Sequence, residues 1–404
     1  MNHYCNRAMK KSICLSFHLH QPTRLRQYRF FDIGNDSHYY DDFANRTALK
    51  RVIEKCYLPA NAILLDLIKA CKGKFRIAFT ISGSVLEQFE RYAPEVIDSF
   101  KALCDTGCVE LVGTTYNHSL ASLASENEFR FQVNRHRDKI KSLFGVTPTT
   151  FSNTELIYSD SIGATVYSMG FDTILAEGAK NALGWKSPDY VYNSAVNPEL
   201  KLLLRNYSLS DDVAGRFSDK SWDAWPLSIQ KYTGWVANAE GEVVSLFMDY
   251  ESFGLRHDKS GGIFDFLSLL PSAFIDAGME FVTPSQATAG HKGVGPFPVE
   301  QPLSWYGAES DVSAWLGNEL QQDAFKKLYA LAEKLAIVGD DNLWADFGRL
   351  QESGNFYYMN TRFFSAGESV DRENPYPTPY EAFINYMNVL SDFSIRVNNS
   401  LAEK

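Results

Sequence analysis

Apolar and polar positions along this chain follow two alternating patterns. Short apolar runs, read as buried strands, are separated by longer stretches with apolar residues at helical spacing. The runs at 12–17, 75–81, 109–112 and 149–152 predict strands, as do 171–176, 202–205, 243–248 and 280–282. Between them, 60–71, 85–91, 94–106, 126–144, 160–169 and 262–277 predict helices. The helix at 94 opens with Pro in its first turn, and the one at 126–144 stops before Gly145. Strands alternating with helices imply an α/β fold with a largely parallel sheet and helical crossovers. A barrel and an open doubly wound sheet both satisfy this pattern. No G-x-G-x-x-G follows the first strand, which weakens a dinucleotide-binding version. Polar residues instead cluster just past strand C-termini, where parallel barrels carry their sites.

After Gly290 the texture changes. Residues 292–307 are rich in Pro and Gly, and helical patterns follow at 318–337, 342–351 and 379–399. Aromatic-rich segments at 357–360 and 363–376 link them. The chain therefore divides into a barrel over 1–290 and a helical C-terminal region over 291–404.

Composition narrows the function. With 39 Lys and Arg against 49 Asp and Glu the net charge is −10, which argues against a nucleic-acid partner. The six cysteines stand between Cys5 and Cys108 without zinc-site spacing, so free thiols are expected. The first apolar run is too short for a signal-peptide core, and no stretch is long enough to span a membrane. A soluble, cytoplasmic protein follows. Aromatic residues make up 14% of the chain. Most Phe suits the core, whereas Trp185, Trp222, Trp225, Trp235, Trp305 and Trp315 fall in expected loops and suit sugar-ring platforms.

The strand ends carry the candidate chemistry. The first runs into His18-Leu19-His20-Gln21-Pro22, and strand alternation puts His18 and His20 on one face. On the third, Glu110 lies between Val109 and Leu111 and must pair with a cation or orient a histidine. Thr114-Thr115-Tyr116-Asn117-His118 follows that strand, and Glu155 follows the fourth. The strand at 243–248 runs into Asp249-Tyr250-Glu251, whose two acids have i, i+2 spacing, and turns at Gly254. Two carboxylates on different strands of one barrel serve glycoside hydrolysis, whereas acids and histidines together also serve a metal site. The residue types leave both open.

Five segments in order carry a resemblance: 18–22, 107–113, the surroundings of Glu155, 249–254, and Trp315-Leu316-Gly317-Asn318. The chain resembles glycoside hydrolase family 57, of the α-amylase and 4-α-glucanotransferase kind, and the tail at 379–388 extends the likeness along the whole chain. The resemblance implies an incomplete TIM-like (β/α)7 barrel with a helical C-terminal domain and a retaining mechanism on α-1,4-glucans. It implies Glu155 as nucleophile and Asp249 as general acid/base. His18, His20, Gln21, Glu110, His118, Tyr250, Trp315 and Asn318 are the candidate substrate-binding residues. No metal, cofactor, nucleic acid or membrane is called for. Asp249 should be held protonated by its neighbouring carboxylate and by Phe247, Tyr250 and Phe253. Leu255-Arg256-His257 depart from the acidic run expected after Gly254, which touches subsite specificity. A metal-dependent polysaccharide deacetylase is the rival on a similar barrel, but paired aspartates after the first strand and a His-x₃-His are missing. A catalytically silent sugar-binding protein is the other.

Overall fold

The computed structural model describes residues 10–307, 309–362 and 374–404. Ten strands form its sheet: β1 (Ser12–Leu19), β2 (Ile77–Ile81), β3 (Val109–Val112), β4 (Thr150–Ser152), β5 (Thr173–Glu177), β6 (Val191–Ser194), β7 (Lys201–Arg205), β8 (Val243–Asp249), β9 (Glu280–Phe281) and β10 (Pro296–Phe297). Parallel ladders run β8–β1–β2–β3 and β4–β5–β7. Two thin seams join these halves. Arg205 pairs with Ser245 between β7 and β8, and a bridge between Gly113 and Phe151 spans β3 and β4. Seven parallel strands thus encircle the interior with no continuous ladder at the β3/β4 edge, an incomplete barrel. At that seam a Cβ on Gly113 would sit 2.8 Å from the Phe171 ring, so only glycine lets the two strands meet.

The strands are apolar on both faces because helices cover the outside and side chains fill the inside. Cys14, Ala78, Val112, Leu175, Leu203 and Phe247 pack together in the interior. Outside, Phe17, Phe79, Phe89, Phe100 and Tyr250 belong to one core, while Phe151, Trp315, Phe347, Phe356 and Phe393 belong to another that fuses barrel and C-terminal helices. Local signals set the helices. Ser125 Oγ caps the Glu126–Phe144 helix at Glu128 N, and Gly145, at φ 73°, ends it.

Several expected elements shift. The helix expected from 60 begins earlier, because Asp42–Val52 runs through a π-helical turn, Ile53–Tyr57, into Leu58–Ala70. The turn accommodates Pro59 and presents Cys56 and Tyr57 to the end of β8. The helix expected at 318–337 is two, Glu319–Tyr329 and Ala332–Val338, and nothing in the local sequence explains the break. β10 pairs with β6, and Leu303 bridges to Tyr158, so the chain past 290 still follows the barrel. Most of the aromatic segment at 363–376 lies outside the described residues.

Candidate active site

Every strand of a parallel barrel points its C-terminal end to the same side, so the polar residues that follow β1, β3 and β4 and end β7 and β8 converge there. His18 and Asp249 are register partners on β1 and β8, and His18 Nδ1 lies 3.4 Å from Asp249 Oδ1. Glu155 follows β4 in a 3-10 turn, Thr154–Leu156. Its φ of 55° is in the left-handed region, as are those of Leu156 and His118. Such non-glycine conformations cost about 1 kcal/mol or more each and persist where surrounding contacts enforce them.

Those contacts end on the Glu155 carboxylate. His118 Nε2 lies 3.2 Å from Oε1, Ser353 Oγ donates to Oε1 at 2.7 Å, and Trp305 Nε1 donates to Oε2 at 2.8 Å. The Trp305 backbone also donates to the Glu155 carbonyl at 3.2 Å. Burial lifts the carboxyl, but the donors from His118, Ser353 and Trp305 outweigh it and hold Glu155 below its ordinary value. Glu155 is thus ionised and aimed.

Asp249 faces cations. Burial raises it, yet His18, Arg256 and Arg205 together bring it below the ordinary aspartate value. The expected upward shift is therefore overturned. Tyr250 and Phe253 turn away to pack on Phe17, with centroids 5.1 and 5.7 Å distant, so they do not dry the carboxyl. The rise falls on Glu251, pushed to about 7 by burial and by the charge of Asp249. Tyr57 Oη and Gln21 Nε2 both donate to Glu251 Oε1.

The His118 imidazole lies between two others, stacked on His20 at 4.3 Å between centroids and tilted against His18 at 4.7 Å. Among the described residues no group of three or more His, Cys, Asp or Glu converges to hold a metal. Burial and the other imidazoles keep His20 neutral. His18 is penalised by burial, but Asp249, Glu251 and Glu155 outweigh that and hold it above its ordinary value.

Two cavities of about 420 and 590 Å³ meet at Glu155 and Asp249 as lobes of one cleft. Trp305, Tyr306, Trp315 and Tyr357 wall the smaller lobe; His18, Gln21, Glu251 and Arg51 line the larger. The sequence pattern of Glycosyl hydrolase family 57 matches residues 14–299, a span that includes both carboxylates. The chain belongs to glycosyl hydrolase family 57. It is 37% identical over 405 residues to a "Putative alpha-amylase" from Methanocaldococcus jannaschii, covering 97% of this chain and 86% of that one. A GH57 branching enzyme from Thermococcus kodakaraensis shares the fold at TM-score 0.67 and 16% identity, over 98% of this chain and 91% of that one. The 4-alpha-glucanotransferase from Thermococcus litoralis shares it at TM-score 0.61 and 15% identity, over 92% of this chain. This chain spans about half of that protein's length, 54%. Family membership makes the chain a glycoside hydrolase.

Three expected site residues of this family 57 chain stand away from the cleft. Glu110 accepts from Thr150 Oγ1 and, at 3.0 and 2.7 Å, from Ser285 N and Oγ, so it meets neither a cation nor a histidine. It ties β3 to β4 and accepts the free Ser285 N–H in the first turn of the Pro284–Gly290 helix, whose N-cap is Thr283. Tyr250 is fully buried on the outer side of the barrel and donates to Asn61 Oδ1 at 2.7 Å. Asn318 caps the Glu319–Tyr329 helix and donates to the Met359 carbonyl. Trp315 borders the smaller lobe but is 1% exposed and packed on Tyr306. Two of the tryptophans expected in loops are helical, Trp315 in Ser313–Leu316 and Trp235 in Ile229–Ala237; of the others, Trp305 touches Glu155, Trp185 is 92% exposed and Trp222 packs on Trp235.

Three residues that contribute to the site carried weaker signals. Trp305 was legible only as one loop tryptophan among several. Arg205 ends β7, a position that could have marked it. It is buried, donates to the Phe247 carbonyl at 2.7 Å and to Glu177 at 3.1 Å, and lies 5.5 Å from the Trp305 ring centroid. Ser353 opens a short helix, Ser353–Tyr357, and had no signal. No described helix is long and apolar enough to cross a membrane, and the five described cysteines are free thiols.

Proposed function

We propose that this chain is a retaining glycoside hydrolase of α-1,4-linked glucans, with Glu155 as nucleophile and Asp249 as acid/base. The observation that carries the reading is the unequal treatment of two carboxylates in one cleft. Glu155 has three donors that keep it ionised and fix its direction. Asp249 has a wetter setting, its side chain 28% exposed against 15% for Glu155, and its contacts with His18 and Arg256 are loose, both at 3.4 Å. A retaining site needs the two carboxyl groups on either side of one bond, about 5–5.5 Å apart.

In the first step a Glu155 oxygen bonds to the anomeric carbon. The pair of the breaking C–O bond goes to the leaving oxygen, which takes a proton from Asp249. In the second step Asp249 removes a proton from the incoming hydroxyl, which displaces Glu155. Water as acceptor gives hydrolysis, and a second sugar gives transfer. The aromatic lobe, with Trp305, Tyr306 and Tyr357, suits the apolar face of a glucose ring. Neutral sugars need no charged partner, consistent with the chain's acidity.

Glu155→Gln tests this reading. Turnover of maltoheptaose should drop by about 10³-fold or more while binding of the sugar persists. Wild-type turnover in that variant would remove Glu155 as nucleophile. Products longer than the input in the wild type would assign transfer as the dominant fate, and absence of any product from wild type across pH 5–8 would favour a sugar-binding protein.

A further inference from the structure

Arg256 occupies the place on Asp249 that an acid catalyst needs free. Asp249 has two carboxyl oxygens. His18 faces Oδ1, and the Arg256 guanidinium lies 3.4 Å from Oδ2. A guanidinium beside that oxygen favours the ionised carboxylate and so opposes the proton that a leaving group needs. The other charged groups around Asp249 do not solve this. Arg205, at the end of β7, adds positive charge; Glu251 holds its own hydrogen bonds from Tyr57 and Gln21; Glu155 and His118 engage each other across the cleft.

The two arginines that act on Asp249 differ in how firmly they are held. Arg205 is buried and has several partners. Arg256 has a 52% exposed side chain, and its described contacts, Asp249 Oδ2 and the Ala214 carbonyl, both lie at 3.4 Å, the outer range of a hydrogen bond. Its backbone is nevertheless pinned. Arg256 N donates to the Glu251 carbonyl at 2.8 Å, and His257 is anchored by Ser218 Oγ and the Ala214 carbonyl, each at 2.9 Å. A fixed base with a loose head describes a side chain that can change partners without moving the loop. Arg256 also borders both lobes where they meet at Asp249.

We propose that Arg256 recognises the sugar on the leaving-group side, through adjacent ring hydroxyls, and in turning to it releases Asp249 to take its proton. The proposal rests on the acid/base role assigned to Asp249 above. The planar guanidinium fork matches two neighbouring hydroxyl oxygens as it matches a carboxylate. Solvent supplies the proton to the freed Oδ2, and Asp249 passes it to the leaving oxygen as the C–O bond breaks. Asp249 is then a carboxylate again and Arg256 returns. The ligand class is a neutral sugar with vicinal hydroxyls, in a site that leaves an empty cleft's acid switched off.

The test compares wild type, Arg256→Gln and Arg256→Lys on two substrates over pH 5–9. One is maltoheptaose. The other is a 4-nitrophenyl α-maltooligoside read by release of 4-nitrophenol, a cleavage with no sugar on the leaving side. The Gln variant should raise KM for maltoheptaose by about tenfold more than KM for the aryl substrate. Its upper pH limb for kcat/KM on maltoheptaose should move to higher pH, because free enzyme no longer has the guanidinium on Asp249. The limb for kcat should stay, because in the complex the guanidinium has already left. The Lys variant, which keeps the charge and loses the fork, should hold the kcat/KM limb and still raise KM. Equal KM changes on both substrates, or limbs of kcat and kcat/KM that move together, would overturn the proposal and make Arg256 a fixed ion-pair partner. A wild type that turns over neither substrate brings down the glucan hydrolase reading itself, and this one with it.

Discussion

Glu352 offers a sharp test of how burial and hydrogen bonding compete in this fold. It precedes Ser353 and is 1% exposed, with Thr23 N donating to Oε2 at 2.7 Å and Thr23 Oγ1 to Oε1 at 3.0 Å. Burial pushes its carboxyl up to about 8, and the Thr23 donors only partly offset that. The unfolded chain releases the proton near 4.5 and the folded protein near 8. Between those values the folded state binds more protons, so stability is full below 4.5 and falls as pH rises to 8. Each pH unit is worth about 1.4 kcal/mol, so the cost reaches about 5 kcal/mol at pH 8 and above. Glu352→Gln is an isostere of the protonated acid. Its amide oxygen can accept from Thr23 N, and its NH₂ can donate to the Thr23 hydroxyl. The variant should match wild type near pH 5 and exceed it progressively toward pH 8. At about 2 cal/mol/K per residue, the full difference is a melting-temperature gain of roughly 6 °C for this chain. Thermal melts at pH 5, 6, 7 and 8 measure it. A variant that melts below wild type at pH 8, or keeps the wild-type pH slope, would show that Glu352 is ionised and that the Thr23 donors win over burial.

Other changes address the site and the barrel. Asp249→Asn should cost about 10²–10⁴-fold on maltoheptaose and far less on an aryl glycoside whose leaving group needs no proton; equal losses on both would contradict the acid role. Trp305→Phe keeps the ring and deletes the donor to Glu155 Oε2. Losing a hydrogen bond to a charged group, worth about 1.5–3 kcal/mol, should lower kcat/KM by about 10–150-fold and move its acidic limb upward. An unmoved limb would mean that the indole merely packs. Gly113→Val should destabilise the fold by about 1–3 kcal/mol, because its side chain would meet Phe171 at the β3/β4 seam; urea unfolding reads this, and an unchanged midpoint would mean that the seam can open without cost.

Much of the barrel was legible because its signals are local. The runs at 109–112 and 126–144 became β3 and the Glu126–Phe144 helix without change. The strands at 12–17 and 243–248 extend a little further, to Leu19 and Asp249, since the register between β1 and β8 carries on to the His18–Asp249 pair. Less visible were Asp42–Val52, a polar helix with a weak apolar stripe, and β6, a short strand that pairs antiparallel with β7. Glu110 and Asn318 carry polar side chains in segments that resemble a site, yet each bonds to nearby backbone or hydroxyls and serves the scaffold. Tyr250 stands between two acids that face the cleft, but it opens a 3-10 turn past the end of β8, and that turn aims it outward at Asn61.

By itself the sequence determined the alternation of strands and helices, the family, and the placing of Glu155 and Asp249 at strand ends. Those follow from periodicity and from the shared direction of parallel strands. The chemical state of each carboxylate, by contrast, was set by the packed three-dimensional fold. That state depends on partners remote in the chain: Trp305 is 150 positions from Glu155, Ser353 is 198, and His18 is 231 from Asp249. Aromatic neighbours in sequence suggested a dry, protonated Asp249. Folding turned Tyr250 and Phe253 into the core and brought the distant His18 and Arg205 to the carboxylate, beside Arg256 from the same loop. Charge interacts through space, and the barrel brings those distant charges together.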